Sequence, residues 1–450
     1  MPAFSSRLNA SDAVLWNIER DPALRTTIVA ISVLDRPPDW QRLRARVEAA
    51  ADEVPRLRQR VEPALLHVGA PRWRDDPTFD LDYHLRRFEC ASPATLDEVL
   101  GQAAPIAMAA FDKTRPLWEF TLVEGLVGGR AALIQKLHHS VTDGVGAVRL
   151  AKCLLDDSRS GRGRRRTFDT DSRPVDHELD RLLRLAGSAA ASWVRPVDAA
   201  RSAVRTAVSA VKLVAPARAP MSPLMVGRGP GRRLFVLDLS LAALRDAAHA
   251  AGATLNDAFL AAVVEGLRRY HDGHGTSLDA LRINMPVNLR GPDDPPGANR
   301  FVPVRMIVPV EHDGAPDRMR RIDELSRAWR DEPALPITDL ISGALTMLNP
   351  AISTPIMAGM LKCVDLVATN VPGFERPVFL AGAEVLRQFA FAPPSGAGMS
   401  IALMSYVDRC CIGVNVDTAA VPDGRALVDC LQAGFDDVLS VRQRAGAAAR

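Results

Sequence analysis

A run made only of serine, glycine and arginine, Ser158 to Arg166, interrupts this chain and limits what it can fold into. It holds five arginines: Arg159, Arg162, Arg164, Arg165 and Arg166. Nothing in it can join an apolar core, so one packed unit must end before it and another begin after it. Ala-rich helical sequence follows, and Pro216, Pro220, Pro223 and Pro230 close the stretch. At 450 residues the chain is also too long for one ordinary core. The expected organisation is a first unit over 1–157, a basic, Ala- and Pro-rich linker over 158–230, and a second unit over 231–450.

The linker has two readings, a flexible tether or a contact for an anionic surface. Val197, Ala200, Val204, Val208 and Val211 fall on one helical face, with Arg201, Arg205 and Lys212 largely off it. Such a helix lies on an anionic membrane or packs against its own protein. A net charge of +3 gives no global field toward nucleic acid. Apolar residues at 47% and charged residues at 24% belong to a folded globular chain. Of the six cysteines none forms a CxxC pair and none has a histidine at ligand spacing, so reduced thiols are expected and no metal site. Cys410 and Cys411, being adjacent, should face opposite sides of a strand. Met1 to Asn9 has no apolar h-region, so no signal peptide is expected. Leu340 to Leu361 carries no charge and is long enough to span a bilayer. Its prolines instead predict two short apolar helices broken at Asn349-Pro350, either buried or facing lipid or substrate.

Both units alternate helix and strand. Ser11 is placed to cap a helix through Ile18. Thr26 to Val33 is β-branched and reads as a strand, and Trp40 to Val54 has the spacing of an amphipathic helix. Leu117 to Leu126 and Ala131 to Leu137 read as neighbouring strands, with a helix from Asp143 to Leu155 after them. The second unit reads as helices at 241–251, 254–270, 317–329 and 425–441. Its expected strands lie at 282–288, 301–308, 364–369, 385–391, 399–406 and 411–417.

Chemistry concentrates where the strand to Leu137 ends, in His138-His139-Ser140-Val141-Thr142-Asp143-Gly144. Histidine exchanges protons near neutral pH, and a strand end holds it rigidly at an opening. Asp143 could orient the histidine or tie the loop to an arginine, and Gly144 allows backbone geometry that a Cβ would hinder. Other motifs have bland readings beside functional ones. Trp118 suits core packing. Asn256 and Asp257 suit a helix cap as well as oxyanion support. Asn370-Val371-Pro372-Gly373 is a turn by composition.

The His138–Gly144 segment resembles the HHxxxDG motif of the CoA-dependent acyltransferase superfamily. Arg115-Pro116-Leu117-Trp118-Glu119, Leu255-Asn256-Asp257-Ala258 and Met285-Pro286-Val287-Asn288-Leu289-Arg290 are similar to elements of bacterial wax ester synthase/diacylglycerol acyltransferases. Gly297-Ala298-Asn299-Arg300-Phe301 and Thr369 to Gly373 fit the same family, so the resemblance spans nearly the whole chain. Thr369 stands where serine is usual and Phe374 where proline is usual, and the second change puts chain-length or acceptor preference in question. The resemblance implies a mixed α/β fold of two chloramphenicol acetyltransferase-like lobes with a central channel at their interface. It implies transfer of a fatty acyl group from acyl-CoA, as co-substrate and without a tightly bound cofactor, to diacylglycerol or a fatty alcohol. His139 is then the general base, His138 and Asp143 support it, and Gly144, Asn256, Asp257 and Asn370 are substrate or oxyanion candidates. Acceptors this apolar imply peripheral contact of a cytoplasmic protein with membrane or lipid droplet. The alternatives are a condensation-domain or polyketide-ester acyltransferase of the same fold, or a catalytically silent lipid-surface protein. Oligomeric state is not readable.

Overall fold

The computed structural model describes residues 7–64, 69–142, 144–161, 219–288, 301–330 and 348–448. The amphipathic stretch Val197 to Val211, the arginines from Arg162 onward, Leu289-Arg290, Gly297 to Arg300, the first part of the uncharged stretch at 340–347, and Asp143 lie outside these.

The first half runs α1 (Ala10–Ile18), β1 (Thr27–Leu34), α2 (Trp40–Glu53), β2 (Gln59–Glu62), β3 (Arg72–Asp75), α3 (Leu81–His84), β4 (Leu85–Ala94), α4 (Leu96–Met108), β5 (Trp118–Leu126), β6 (Arg130–His138) and α5 (Gly144–Leu154). After the linker come β7 (Arg232–Ser240), α6 (Leu241–Ala250), α7 (Leu255–Gly273), β8 (Ala280–Asn288), β9 (Phe301–Pro309), α8 (Ala315–Arg330) and α9 (Pro350–Leu361). The chain ends with β10 (Leu366–Phe374), β11 (Phe379–Leu380), β12 (Ala383–Phe391), β13 (Met399–Tyr406), β14 (Arg409–Asp417) and α10 (Gly424–Ala448). Most expected elements are present with ends shifted by a few residues, but β2, β3, α3, β4, α4 and β7 were not expected, α10 runs seven residues past its expected end, and other exceptions are informative. Asn9, not Ser11, caps α1, its side chain accepting from Asp12 N at 2.7 Å. The predicted turn Asn370 to Gly373 lies inside β10, which pairs in parallel with β13 up to a bulge after Val371. Gly373 makes that bulge possible, because a Cβ there would collide with Ser405 O.

Two six-stranded sheets carry the fold, ordered β11-β12-β1-β6-β5-β4 and β7-β14-β13-β10-β8-β9. The first includes two strands from the far end of the chain. β12 pairs antiparallel with β1, Ala30 opposite Ala390, so residues 379–391 complete the first sheet rather than the second. A cut at residue 230 therefore separates the linker but not the lobes. The long, β-branched β1 has an edge that must be paired, and β12 covers it. The start of the linker, and Asp156 just before it, are fixed at this crossing. Asp156 bridges to Phe379, and Arg159 reaches Gly382 O at 2.9 Å, Asp35 at 2.8 Å and Glu384 at 3.2 Å.

Packing follows the same division. One core fills the second lobe, where α7 packs against α10, α8 and α6 and buries Phe259, Val263 and Leu267. A second core fills the first lobe and continues across the lobe contact, drawing in Val371, Phe374, Met404 and Tyr406. Cys410 belongs to the former and Cys411 to the latter, as strand alternation requires. Burial pushes their thiols up to about 12 and about 11, so both are inert as nucleophiles. The lobes touch closely where β14 meets β12, because a Cβ at Gly413 would strike Ala390 O. Phe374, the departure from the family pattern, is buried near Tyr406, ring centroids 6.5 Å apart.

Candidate active site

The site is built on an inner strand. β6 lies between β1 and β5, with Thr27 opposite His138 on one side and Trp118 opposite Leu137 on the other. Trp118 is fully buried, stacks on His84 at 4.5 Å and donates its indole N–H to Leu57 O at 2.8 Å. The motif around it is packing that holds β5 beside β6. Two further backbone bonds fasten the end of β6: His138 N–H donates to Leu117 O at 3.0 Å and His139 N–H to Thr26 O at 3.1 Å. The chain then turns, with Val141 N–H donating to His138 O at 2.9 Å.

The two histidines have different surroundings. His138 is wholly buried, edge-on to Trp16 and Phe111 at centroid distances of 5.9 and 6.0 Å. Its Nδ1 accepts the Ser140 backbone N–H at 3.0 Å and lies 2.6 Å from Ser140 Oγ. That hydrogen bond places the ring proton on Nε2, which points at Glu19 Oε1 3.0 Å away. Both ring nitrogens are therefore occupied within the protein. His139, one residue on, is half-buried, and alternation turns its side chain away from the pocket that holds His138.

Glu19, at the end of α1, was not singled out from the sequence. Its side chain is only 7% exposed. Burial alone would raise its pKa. The hydrogen bond from His138 and its positive charge when protonated, then the Thr26 hydrogen bond and the nearby Lys113 charge, outweigh that and lower it to about 2. The only sequence signal was an acid one helical turn after Trp16 in a largely apolar helix. Lys136 is the second buried charge here, 3.2 Å from Glu119 and over the Phe111 ring at 4.2 Å. Burial lowers its pKa.

Not all the remaining candidates share this corner. Gly144 opens α5, and α5 comes close to β10, the strand that carries half-buried Asn370. The lobe contact thus sets α5, the helix that follows the His138–Gly144 segment, beside the strand that carries Asn370. Asn256 and Asp257 lie at the start of α7. Asp257 is buried and forms a reciprocal cap with Thr254, whose N–H and hydroxyl reach its carboxylate at 2.9 and 2.5 Å. Asn256 donates to Met285 Sδ at 3.5 Å, on β8 beside β10. A cavity of about 180 Å³ lined by Trp16, Asn17, Arg20 and Lys113 lies on the α1 side. His139 does not line it.

Fold and site together define the class, a two-lobed α/β acyltransferase fold with a histidine pair at an inner strand end. The family model described as the wax ester synthase/diacylglycerol acyltransferase catalytic domain matches residues 8–259, and that of the family's C-terminal domain matches 298–438. A Mycobacterium tuberculosis protein whose name proposes a diacylglycerol O-acyltransferase is 36% identical, over 98% of this chain and 93% of its own. Among solved structures, the wax ester synthase/diacylglycerol acyltransferase of Marinobacter aquaeolei VT8 is 20% identical with a TM-score of 0.64, covering 97% of this chain and 100% of that one. The first condensation domain of the calcium-dependent antibiotic synthetase is similar in fold, at 16% identity and a TM-score of 0.62 over 98% and 97% of the two chains. The chain belongs to the wax ester synthase/diacylglycerol acyltransferase family.

Proposed function

We propose that this chain moves a fatty acyl group directly from acyl-CoA to the hydroxyl of diacylglycerol or a long-chain alcohol, with His139 as general base. Family membership supports O-acyl transfer, and the name of the mycobacterial relative supports diacylglycerol as acceptor. One observation carries the choice of base: His138 is buried with both nitrogens occupied, while its neighbour is half-buried at the same rigid strand end. His139 takes the acceptor's hydroxyl proton as the oxygen attacks the thioester carbonyl. The tetrahedral oxyanion collapses, the C–S bond breaks, and the CoA thiolate leaves with the proton from the imidazolium. Acid–base catalysis of this kind supplies roughly 10²–10⁴-fold, and holding both substrates in line supplies much of the remainder. The Gly144 backbone, Asn256 and Asn370 are the candidate donors to the oxyanion, and Asp143 serves the loop. Asp257 acts through its helix cap. The substrates meet between the lobes, where α5 approaches β10. No tightly bound cofactor takes part.

Both acceptors are insoluble in water, so the enzyme meets them at a membrane or droplet surface on its cytoplasmic side. α9 supports this reading. Its buried positions include Ser353 and Thr354, while Ile352 is 56% and Ile356 48% exposed, the reverse of a core helix. No single helix among the described residues is long and apolar enough to cross a membrane. The test gives purified protein palmitoyl-CoA with diacylglycerol, hexadecanol or neither, and follows free thiol and ester together. Ester and thiol should appear in equal amounts only with an alcohol present. Thiol release that ignores every alcohol would defeat the proposal.

A further inference from the structure

The carboxylate of Glu19 is unused by the chemistry above, yet three hydrogen bonds converge on one of its oxygens. Oε1 accepts from Thr26 N–H at 2.9 Å, from Thr26 Oγ1 at 3.2 Å and from His138 Nε2 at 3.0 Å. These partners are not arbitrary. Thr26 is the residue whose carbonyl accepts the His139 backbone N–H, and His138 precedes His139 in the chain. Ser140, which follows it, is tied back to His138 Nδ1 by its own N–H. The residues on either side of His139, and the one across the sheet from it, thus lead to a single buried oxygen.

We propose that Glu19 is a positioning residue of this active site: by gripping Thr26 and His138 at once it fixes the backbone of His139 and so the direction in which the base presents its ring. The inference rests on His139 being the base. The physical ground is that acid–base catalysis needs its proton acceptor within a few tenths of an ångström and about 10–20° of the productive pose. A turn that follows a strand end has no ladder of its own to supply this. α1 contributes a rigid anchor from outside the sheet, set by the Trp16 contact with His138 and by the backbone bond from Asp21 N to Ile18 O at 3.1 Å. The carboxylate charge strengthens each bond it accepts. A neutral amide at the same place would accept fewer of them.

The test uses the full-length protein with Glu19→Gln, Glu19→Asp, His139→Gln and the Glu19→Gln/His139→Gln double variant. kcat and both KM values are referred to the folded fraction measured by near-ultraviolet circular dichroism. Glu19→Gln should lower kcat at least tenfold with both KM values within about twofold, because orientation is lost and substrate binding is not. Glu19→Asp should recover part of the loss. The double variant should be no slower than His139→Gln alone, since no base remains to be positioned. The inference is overturned if Glu19→Gln keeps wild-type kcat, or if it slows the His139→Gln protein by the same factor. A readout independent of activity covers a variant that does not fold, or a wild type that transfers no acyl group. In ¹⁵N spectra of the wild type, His138 should show a protonated Nε2 and an unprotonated Nδ1. An unprotonated Nε2 would overturn the clamp itself, whereas absent transfer with the expected spectrum would count against the function alone.

Discussion

Two doublets, His138-His139 at the end of β6 and Asn256-Asp257 at the start of α7, are built on one plan and anchored in different ways. In each, one residue is buried and holds structure while its neighbour is only half-buried. Asp257 finds its partner three residues back, in Thr254. His138 finds Glu19 on another element, more than a hundred positions away in sequence. A local anchor fixes one helix end. The long-range anchor fixes how α1, β1 and β6 meet, and the histidine beside it inherits that rigidity. The difference separates a local helix cap from a long-range anchor beside the proposed base.

Breaking the long-range anchor should have the largest effect on stability. His138→Leu removes a donor from the buried Glu19 carboxylate and leaves that charge poorly compensated. We expect a loss of about 3–5 kcal/mol in denaturant unfolding. A loss below about 1 kcal/mol would mean that the anchor carries little.

Acid should weaken the same anchor without mutation. Glu19 has a folded-state pKa of about 2, below its ordinary 4.5, so the fold favours the ionised form. Its contribution is complete above about pH 4.5 and disappears as the pH falls toward 2, amounting to roughly 3 kcal/mol over that window. The Glu19→Gln protein should lack this part of the acid dependence when unfolding is followed between those pH values. An identical acid profile in the two proteins would contradict the assignment.

The local anchor should matter less. Asp257→Ala removes a capping box and should cost about 1–2 kcal/mol in thermal or denaturant unfolding. Activity per folded molecule should change little. A large fall in kcat with unchanged stability would return Asp257 to the chemistry. Smallest of all, Ile352→Ser with Ile356→Ser should alter stability by about 0.5 kcal/mol or less, because both side chains face outward. The same pair should weaken flotation with phospholipid vesicles, and undiminished flotation would remove α9 from the lipid contact.

What could be read from the sequence follows the same line. Helix and strand positions were legible because periodicity and turn chemistry are local. So were a capping role for Asp257, though not Thr254 as its partner, and the packing role of Trp118. The histidine pair was legible from its spacing, and the resemblance it carried supplied the family. The crossing of β12 into the first sheet was not, since 383–391 has the same alternation whichever sheet it joins. Asn370 to Gly373 misled because Asn, Pro and Gly favour turns, while here Gly373 admits a bulge within a strand. Glu19 stayed hidden because nothing near it in sequence says that Thr26 and His138 meet there.

The division of labour within the first doublet is tested most directly by replacing His139 alone. The acceptor-dependent release of thiol from palmitoyl-CoA is compared between wild type and His139→Asn at matched folded fraction. The account predicts a fall of roughly 10²–10⁴-fold with unfolding behaviour unchanged, since His139 catalyses and His138 holds. A His139→Asn protein that keeps wild-type transfer to the alcohol would contradict it.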